Sequence, residues 1–227
     1  PMVMLKVLFT FAVAALYGKI YELLYQKQNM ILENERLRNE NLQSRYDVLV
    51  NQINPHFLFN SLNSLSMLAR EEKTDGALMY IDRLSDTFRY ILETGRRNMT
   101  TVEEELRFVN DYKFLFEVRY EGKFFLEIDV DSRYYDWCMP SLSLQPLIEN
   151  AVKHNTITKA RPLKIYIASD GENIVVSNMI TPKIAPETST GIGLRNISSR
   201  YSLLTGKEIT VTDDGKTFSV KLPLIQR

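Results

Sequence analysis

Cysteine occurs once in 227 residues, at Cys138. A single thiol closes no internal disulfide and builds no cysteine-rich zinc site. Its ordinary use is buried packing in a reducing compartment. Histidine is nearly as scarce: His56 and His154 are the only two imidazoles. Net charge is missing as well, with 28 Lys and Arg against 28 Asp and Glu and no basic patch interleaved with aromatics. Such a chain lacks the electrostatic footprint of a nucleic-acid binder. A long apolar run is also wanting. Residues 3–17 are mostly apolar but contain Lys6 and Thr10, and the stretch is shorter than the roughly 20 residues that cross a bilayer. It reads as the apolar end of a helix packed on a partner or, preferably, as the last part of a membrane-spanning helix over residues 1–18. Lys19 and Lys27 would then be its positive flanks, and residues 19–227 the cytoplasmic portion of an inner-membrane or cell-membrane protein. The remaining composition is ordinary for a folded protein, 44% hydrophobic and 25% charged. The length suits one large domain or two small ones.

Glycine and proline are absent from residue 20 to residue 54. That predicts one long helix over 19–53. Leu42, Tyr46, Leu49 and Ile53 alternate at four and three, as in a coiled coil. Leu24 and Ile31 are seven apart but eleven or more from Leu42, so the register shifts near Asn34 to Asn41. A helix this long has nothing of its own to bury that stripe against, and a homodimer is expected. Pro55 interrupts the run by removing a backbone donor. Residues 54–97 then read as a helical hairpin. Leu58, Leu62, Leu65 and Ala69 keep helical spacing, 71–76 is a turn, and Leu78, Ile81, Leu84, Phe88 and Ile91 come next on one side. Two such hairpins make a four-helix bundle.

Beyond a break at 95–99, the character changes over residues 98–227. Thr101 and Glu104 have capping-box spacing ahead of Phe108, Tyr112, Leu115 and Phe116. Strands are expected at 124–130, 163–168, 174–177, 208–212 and 218–222, with turns at Asp170-Gly171 and Asp213-Asp214-Gly215. Helices are expected at 141–155 and from Gly191 to Leu204, with an aperiodic loop at 181–190. This is an α+β domain with a mainly antiparallel sheet.

Two stretches could carry chemistry. In Glu149-Asn150-Ala151-Val152-Lys153-His154-Asn155, Asn150 and Lys153 are three apart and share a helix face. Leu144, Leu147, Ile148, Ala151 and Val152 would be the buried side. Oxygen donors suit Mg²⁺ and a lysine suits phosphate, although composition alone allows a plain solvated face. Gly191-x-Gly193 at a helix start permits close approach of an anion to free amides. By itself it reads first as a plain helix-start turn.

Together with Asn54-Pro-His-Phe-Leu-Phe-Asn60, the motifs Leu144-Gln-Pro-Leu-Ile-Glu-Asn-Ala-Val-Lys-His154 and Gly191-Ile-Gly-Leu-Arg-Asn196 with Arg200 resemble the LytS/YehU-type sensor histidine kinases in order and spacing. The resemblance covers about residues 45–225. It implies a dimerising hairpin that bears the phosphorylated histidine, joined to a two-layer ATP-binding sandwich of the GHKL (Bergerat) type with a lid. By this resemblance His56 is the phosphoacceptor, Asn60 positions the imidazole or a water, and Glu149 orients or activates the reacting groups. Asn150 is the Mg²⁺ ligand. Lys153, His154, Gly191, Gly193, Leu194, Asn196 and Arg200 line the ATP phosphates. The family usually has Asp-x-Gly where this chain has Ser177-Asn178-Met179, and Gly-x-Gly-Thr where it has Gly215-Lys216-Thr217. Asn178 and Thr217 take the nucleotide-binding places. An imidazole is largely a neutral nucleophile at neutral pH. The implied reaction is ATP-dependent phosphorylation of His56, then transfer to an aspartate of a response regulator. The alternative is a dimeric kinase-like scaffold with weak or absent catalysis; a helical membrane-anchored adaptor is a third reading.

Overall fold

The computed structural model describes residues 2, 16–23, 26–30, 32–38, 55–94, 97–183 and 192–226. The chain divides into two compact units, Pro1–Asn51 and Gln52–Arg227. In the first, residues 16–23, 26–30 and 32–38 are helical and exposed. The expected seam residues Leu24, Ile31, Leu42, Tyr46, Leu49 and Ile53 lie outside the described residues, as does most of the apolar stretch at 1–18. Among the described residues no helix is long and apolar enough to cross a membrane.

The second unit begins with helix α1 (Pro55–Arg70), a short turn, and helix α2 (Thr74–Thr94). The turn is shorter than expected, because Thr74 already starts the helix and Asp75 in its first turn suits the positive end of the helix dipole. The buried stripe of α1 is also displaced by one residue. Phe57, Ser61, Ser64 and Leu68 face inward, while Phe59 is 65% exposed and Leu62 48%. On α2, Tyr80, Thr87, Ile91 and Thr94 are buried, whereas Leu78 and Ile81 stay exposed. Each hairpin helix therefore has two apolar sides, and only one is buried among the described residues.

Strand β1 (Met99–Thr101) leads into α3 (Val102–Tyr120). Thr101 caps α3 as expected, its hydroxyl accepting from the Glu104 N–H at 3.2 Å. The Glu104 carboxylate does not close the expected box. It accepts from the Thr100 hydroxyl at 2.6 Å instead. Helix α3 packs against both hairpin helices and against the sheet, so its residues are buried nearly all round. Val102, Leu106, Phe108, Val109, Tyr112, Leu115 and Phe116 all belong to the core. Burial on every side is the signature of a central helix.

The sheet has five strands: β2 (Phe124–Asp129), β4 (Leu163–Ser169), β5 (Asn173–Met179), β6 (Thr210–Asp213) and β7 (Thr217–Pro223), in the order β2-β4-β5-β7-β6. Only β2 and β4 run parallel; the other pairings are antiparallel. Parallel neighbours need a crossover. Here it runs through a 3₁₀ turn at Ser132–Tyr134, strand β3 (Cys138–Pro140), paired with β1, and helix α4 (Gln145–His154). Alternate residues such as Leu126, Ile165, Ile167, Ile174, Val176, Val220 and Leu222 face the helices. Tyr166 and Phe125 remain exposed on the other side, which makes a two-layer sandwich. Helix α5 (Ile192–Thr205) completes the helical layer beside α4.

Helix α4 begins four residues later than expected. Residues 141–144 form a turn in which Leu142 has φ 55°. Its geometry is held by Glu105, a fully buried carboxylate of α3. Glu105 Oε2 accepts from the Leu142 N–H at 3.1 Å and Oε1 from the Leu144 N–H at 3.0 Å. The Tyr90 hydroxyl of α2 donates to the same carboxylate at 2.8 Å.

Candidate functional site

His56 lies in the first turn of α1 and is exposed. Its neighbour Phe57 turns inward and is 7% exposed. The Phe57 ring stacks on Tyr112 with centroids 5.0 Å apart, and it meets the edge of Phe88 at 6.2 Å. Pairs of this kind contribute about 0.5–1.5 kcal/mol beyond the area they bury. Asn60, one turn after His56, is half-buried, and its amide nitrogen is buried with no hydrogen-bond partner. It borders a small cavity with Tyr80, Leu115, Phe116 and Arg119. One helical turn thus separates an exposed imidazole from an inward amide.

The polar side of α4 carries Glu149, Asn150, Lys153 and His154, all half-buried. Leu147, Ile148 and Ala151 hold the opposite side in the core. Leu144 is buried but precedes the helix, and Val152 is half-buried. Glu149 Oε1 accepts from the Tyr112 hydroxyl at 2.5 Å and from Gln145 Nε2 at 3.0 Å. Burial, reinforced by the adjacent Glu149 charge, holds the Tyr112 phenol well above its usual range. Tyr112 is therefore a proton donor throughout the physiological range, never a phenolate. Among the described residues no hydrogen bond engages the Asn150 amide, and no ion pair engages Lys153. An oxygen donor and an ammonium on one helix side fit a hard divalent cation and a phosphate.

Two of the nucleotide-binding candidates, Asn178 and Thr217, lie at one end of the sheet. Asn178, 5% exposed, sits on the helix-facing side of β5 beside Phe218 and Ile165. Its Nδ2 donates to the Met179 carbonyl at 2.8 Å, and Oδ1 is the acceptor of the amide. Thr217 of β7 pairs with Met179. The end of α4 reaches the same place through Asn155. That side chain is 3% exposed; its Oδ1 accepts from the Thr181 N–H at 2.6 Å, and its Nδ2 donates to the Ala151 carbonyl at 2.8 Å. On α5, Leu194 packs into the core, while Gly193 and Asn196 are exposed. A Cβ built at Gly193 would meet nothing within 4 Å, so packing does not demand glycine there. Arg200 is exposed but anchored. Its Nη1 donates to the Ser141 carbonyl at 2.6 Å, tying α5 to the turn before α4. Gly191 lies outside the described residues.

Residues 44–124 match the family model described as histidine kinase. The sensor histidine kinase/phosphatase LytS of Staphylococcus aureus is 30% identical over 193 residues, which cover 76% of this chain and 33% of LytS. The chain belongs to the histidine kinase family. It spans about a third of the length of the curated relatives it matches, and strains Mu50 and N315 of Staphylococcus aureus give the same figures. Solved structures similar to this family member include the Acinetobacter baumannii histidine kinase AdeS, 16% identical, with 74% of this chain and 94% of that chain covered and a TM-score of 0.38. The cytoplasmic segment of histidine kinase QseC is 14% identical, with 65% and 95% covered and a TM-score of 0.40.

Several residues that shape the site do not stand out in the sequence. Tyr112 and Gln145, which hold Glu149, are two; Glu105 and Asn155 are two more. One signal was available for Glu105. It falls three and seven residues before Phe108 and Tyr112, so it lies in the apolar stripe of α3. A carboxylate in such a stripe is buried, and a buried carboxylate needs donors. Asn155 carried no comparable signal, because its partner Thr181 is 26 residues away.

Proposed function

We propose that this chain is the phosphotransferase core of a two-component sensor histidine kinase. The observation that carries the reading is the juxtaposition, in one compact unit, of an exposed histidine at the start of α1 and an anchored carboxylate on α4, joined through the Phe57–Tyr112 stack and the Tyr112–Glu149 hydrogen bond. The family match adds the activity class. Residues 54–97 act as the histidine-bearing dimerisation hairpin and residues 98–227 as the ATP-binding domain. The segment 19–53, expected from its sequence to be a long helix, carries the signal from a membrane-anchored sensor.

In the reaction, an unprotonated ring nitrogen of His56 attacks the γ-phosphorus of ATP. A nitrogen–phosphorus bond forms, the bond from phosphorus to the bridging oxygen breaks, and ADP leaves with that electron pair. Glu149 takes the proton from the imidazolium that results. The phosphoryl group then passes to an aspartate carboxylate on a response regulator, which restores His56. Most of the catalysis in such a transfer is positioning and charge neutralisation. Lys153 neutralises phosphate charge from α4. Gly191 and Gly193 let backbone amides approach the phosphates, with Leu194, Asn196, Arg200 and His154 around them. Asn178 accepts from the adenine amino group through Oδ1, and Thr217 supports it from β7. Mg²⁺ held by Asn150 would supply further charge neutralisation on the phosphate oxygens. The exposed Phe59, Leu62, Leu78, Ile81 and Leu92 on the hairpin form the surface for a second copy of the chain.

Incubation with γ-labelled ATP and Mg²⁺ tests the reading. The expected product is an acid-labile, base-stable label that disappears in His56→Gln and falls to background in Asn150→Ala without unfolding. Absence of label together with absence of nucleotide binding by calorimetry would make the chain a scaffold.

A further inference from the structure

One route from the helix that bears His56 to the Glu149 carboxylate runs through Tyr112. Phe57 lies on the Tyr112 ring at 5.0 Å and 29°, and the Tyr112 hydroxyl donates to Glu149 Oε1. Phe108 and Phe116 enclose the same ring at 5.5 and 5.0 Å. Tyr112 is fully buried, so no water competes for its hydroxyl. Gln145, one turn before Glu149 on α4, donates to the same oxygen.

We propose that Tyr112 is a positioning residue for Glu149, and that its ring is the seat on which the His56 helix docks. A glutamate has three side-chain torsions. Two donors converging on one carboxylate oxygen fix the plane of that group. One of them, Gln145, belongs to the same helix as Glu149 and moves with it. The other is rooted in α3, within an aromatic stack that closes only when Phe57 is in place. Seating α1 therefore orders the phenol, and the ordered phenol orients the carboxylate. The phenol's share in orienting Glu149 thus depends on the docked histidine helix. Its catalytic consequence rests on the kinase reaction proposed above; the positioning itself does not.

Tyr112→Phe removes the hydroxyl and keeps the ring, so the stack and the fold survive. Two readouts are taken on the whole chain: autophosphorylation kinetics, and the ¹³C resonance of the Glu149 side-chain carboxyl, assigned with Glu149→Gln. The expected result is a fall of about tenfold in kcat, the effect of one lost charge-assisted hydrogen bond, with the KM for ATP unchanged and the Glu149 resonance displaced. Phe57→Leu keeps an apolar plug but removes the stack, and displaces the resonance in the same direction by less. An unmoved resonance in Tyr112→Phe overturns the proposal, as does an unchanged kcat beside an active wild type. If the wild type transfers no phosphate, the kinase reading fails, and the resonance alone decides the positioning role.

Discussion

Asn155 joins the end of the proposed catalytic helix to the strand end where Asn178 sits, and its replacement by Ala isolates that joint. The side chain makes three hydrogen bonds. Oδ1 accepts from the Thr181 N–H at 2.6 Å and from the Thr181 hydroxyl at 3.3 Å, and Nδ2 donates to the Ala151 carbonyl at 2.8 Å. Two of these partners have alternatives. The Thr181 hydroxyl also donates to the Thr156 carbonyl at 3.4 Å, and the Ala151 carbonyl keeps the backbone bond from Asn155 N at 3.2 Å. The Thr181 N–H has no such alternative. It becomes an orphaned donor, which costs about 1–3 kcal/mol. The emptied volume at a site 3% exposed adds to that, for a total of about 2–4 kcal/mol. In a unit of this size each kcal/mol lowers Tm by about 2–4 °C, so a fall of roughly 4–16 °C is expected. The diagnostic measurement is hydrogen exchange at Thr181. If Asn155 is its acceptor, protection of that amide drops about tenfold or more beyond the global loss. Amides at the far end of β5, such as Val175, should follow only the global loss. Affinity for ATP should weaken with it, because Thr181 is two residues from Met179. Thr181 exchange that merely tracks the global change would refute the reasoning, whatever the melting temperature does.

Two other perturbations test the frame around α4. Burial, as the largest cause, raises the Glu105 carboxyl above its usual 4.5, against hydrogen bonds from Leu144, Tyr90 and Leu142 that pull it down. The folded state then holds that proton to higher pH than the unfolded chain, so the stability from this group is full below its unfolded pKa and lost as pH rises through the folded value. Glu105→Gln, the neutral isostere, lacks that loss. Its stability relative to wild type should rise as pH increases above the usual carboxyl value of 4.5 in urea melts, and a pH-independent difference would count against it. Thr101→Ala deletes the cap of α3 and should lower stability by about 0.5–2 kcal/mol, read from the urea midpoint at unchanged slope; no change would mean that the Thr100–Glu104 bond suffices.

Much of the fold was legible because it is written in local periodicity and turn chemistry. The Pro55 start, the Thr101 cap and the Asp170-Gly171 turn mark boundaries that depend only on nearby backbone geometry, and they fall where local rules put them. Period alone could not say which of two apolar sides of α1 turns inward. Leu58 and Leu62 looked like the core stripe, yet Phe57 and Leu68 are buried, because α3 offers a stack of aromatic rings that accepts Phe57. The start of α4 was misplaced for a related reason. The sequence from Ser141 is compatible with helix, but Glu105, about 40 residues earlier, captures the amides of Leu142 and Leu144 and holds a turn. The chemistry proposed for His56, Glu149 and Gly193 came from the family resemblance of their motifs, not from local periodicity.

By itself, then, the sequence determined most of the elements and the α+β class, since these come from spacing along one chain, and the resemblance of its motifs supplied the candidate groups for phosphoryl transfer. Tertiary structure alone decided how those groups are held. Tyr112 on Glu149, Asn155 on Thr181, Arg200 on Ser141 and Phe57 on Tyr112 are contacts between residues 26 to 59 positions apart. No local pattern encodes them, because each partner is chosen by the packing of whole helices against the sheet, and each buried donor takes the acceptor that packing brings within reach.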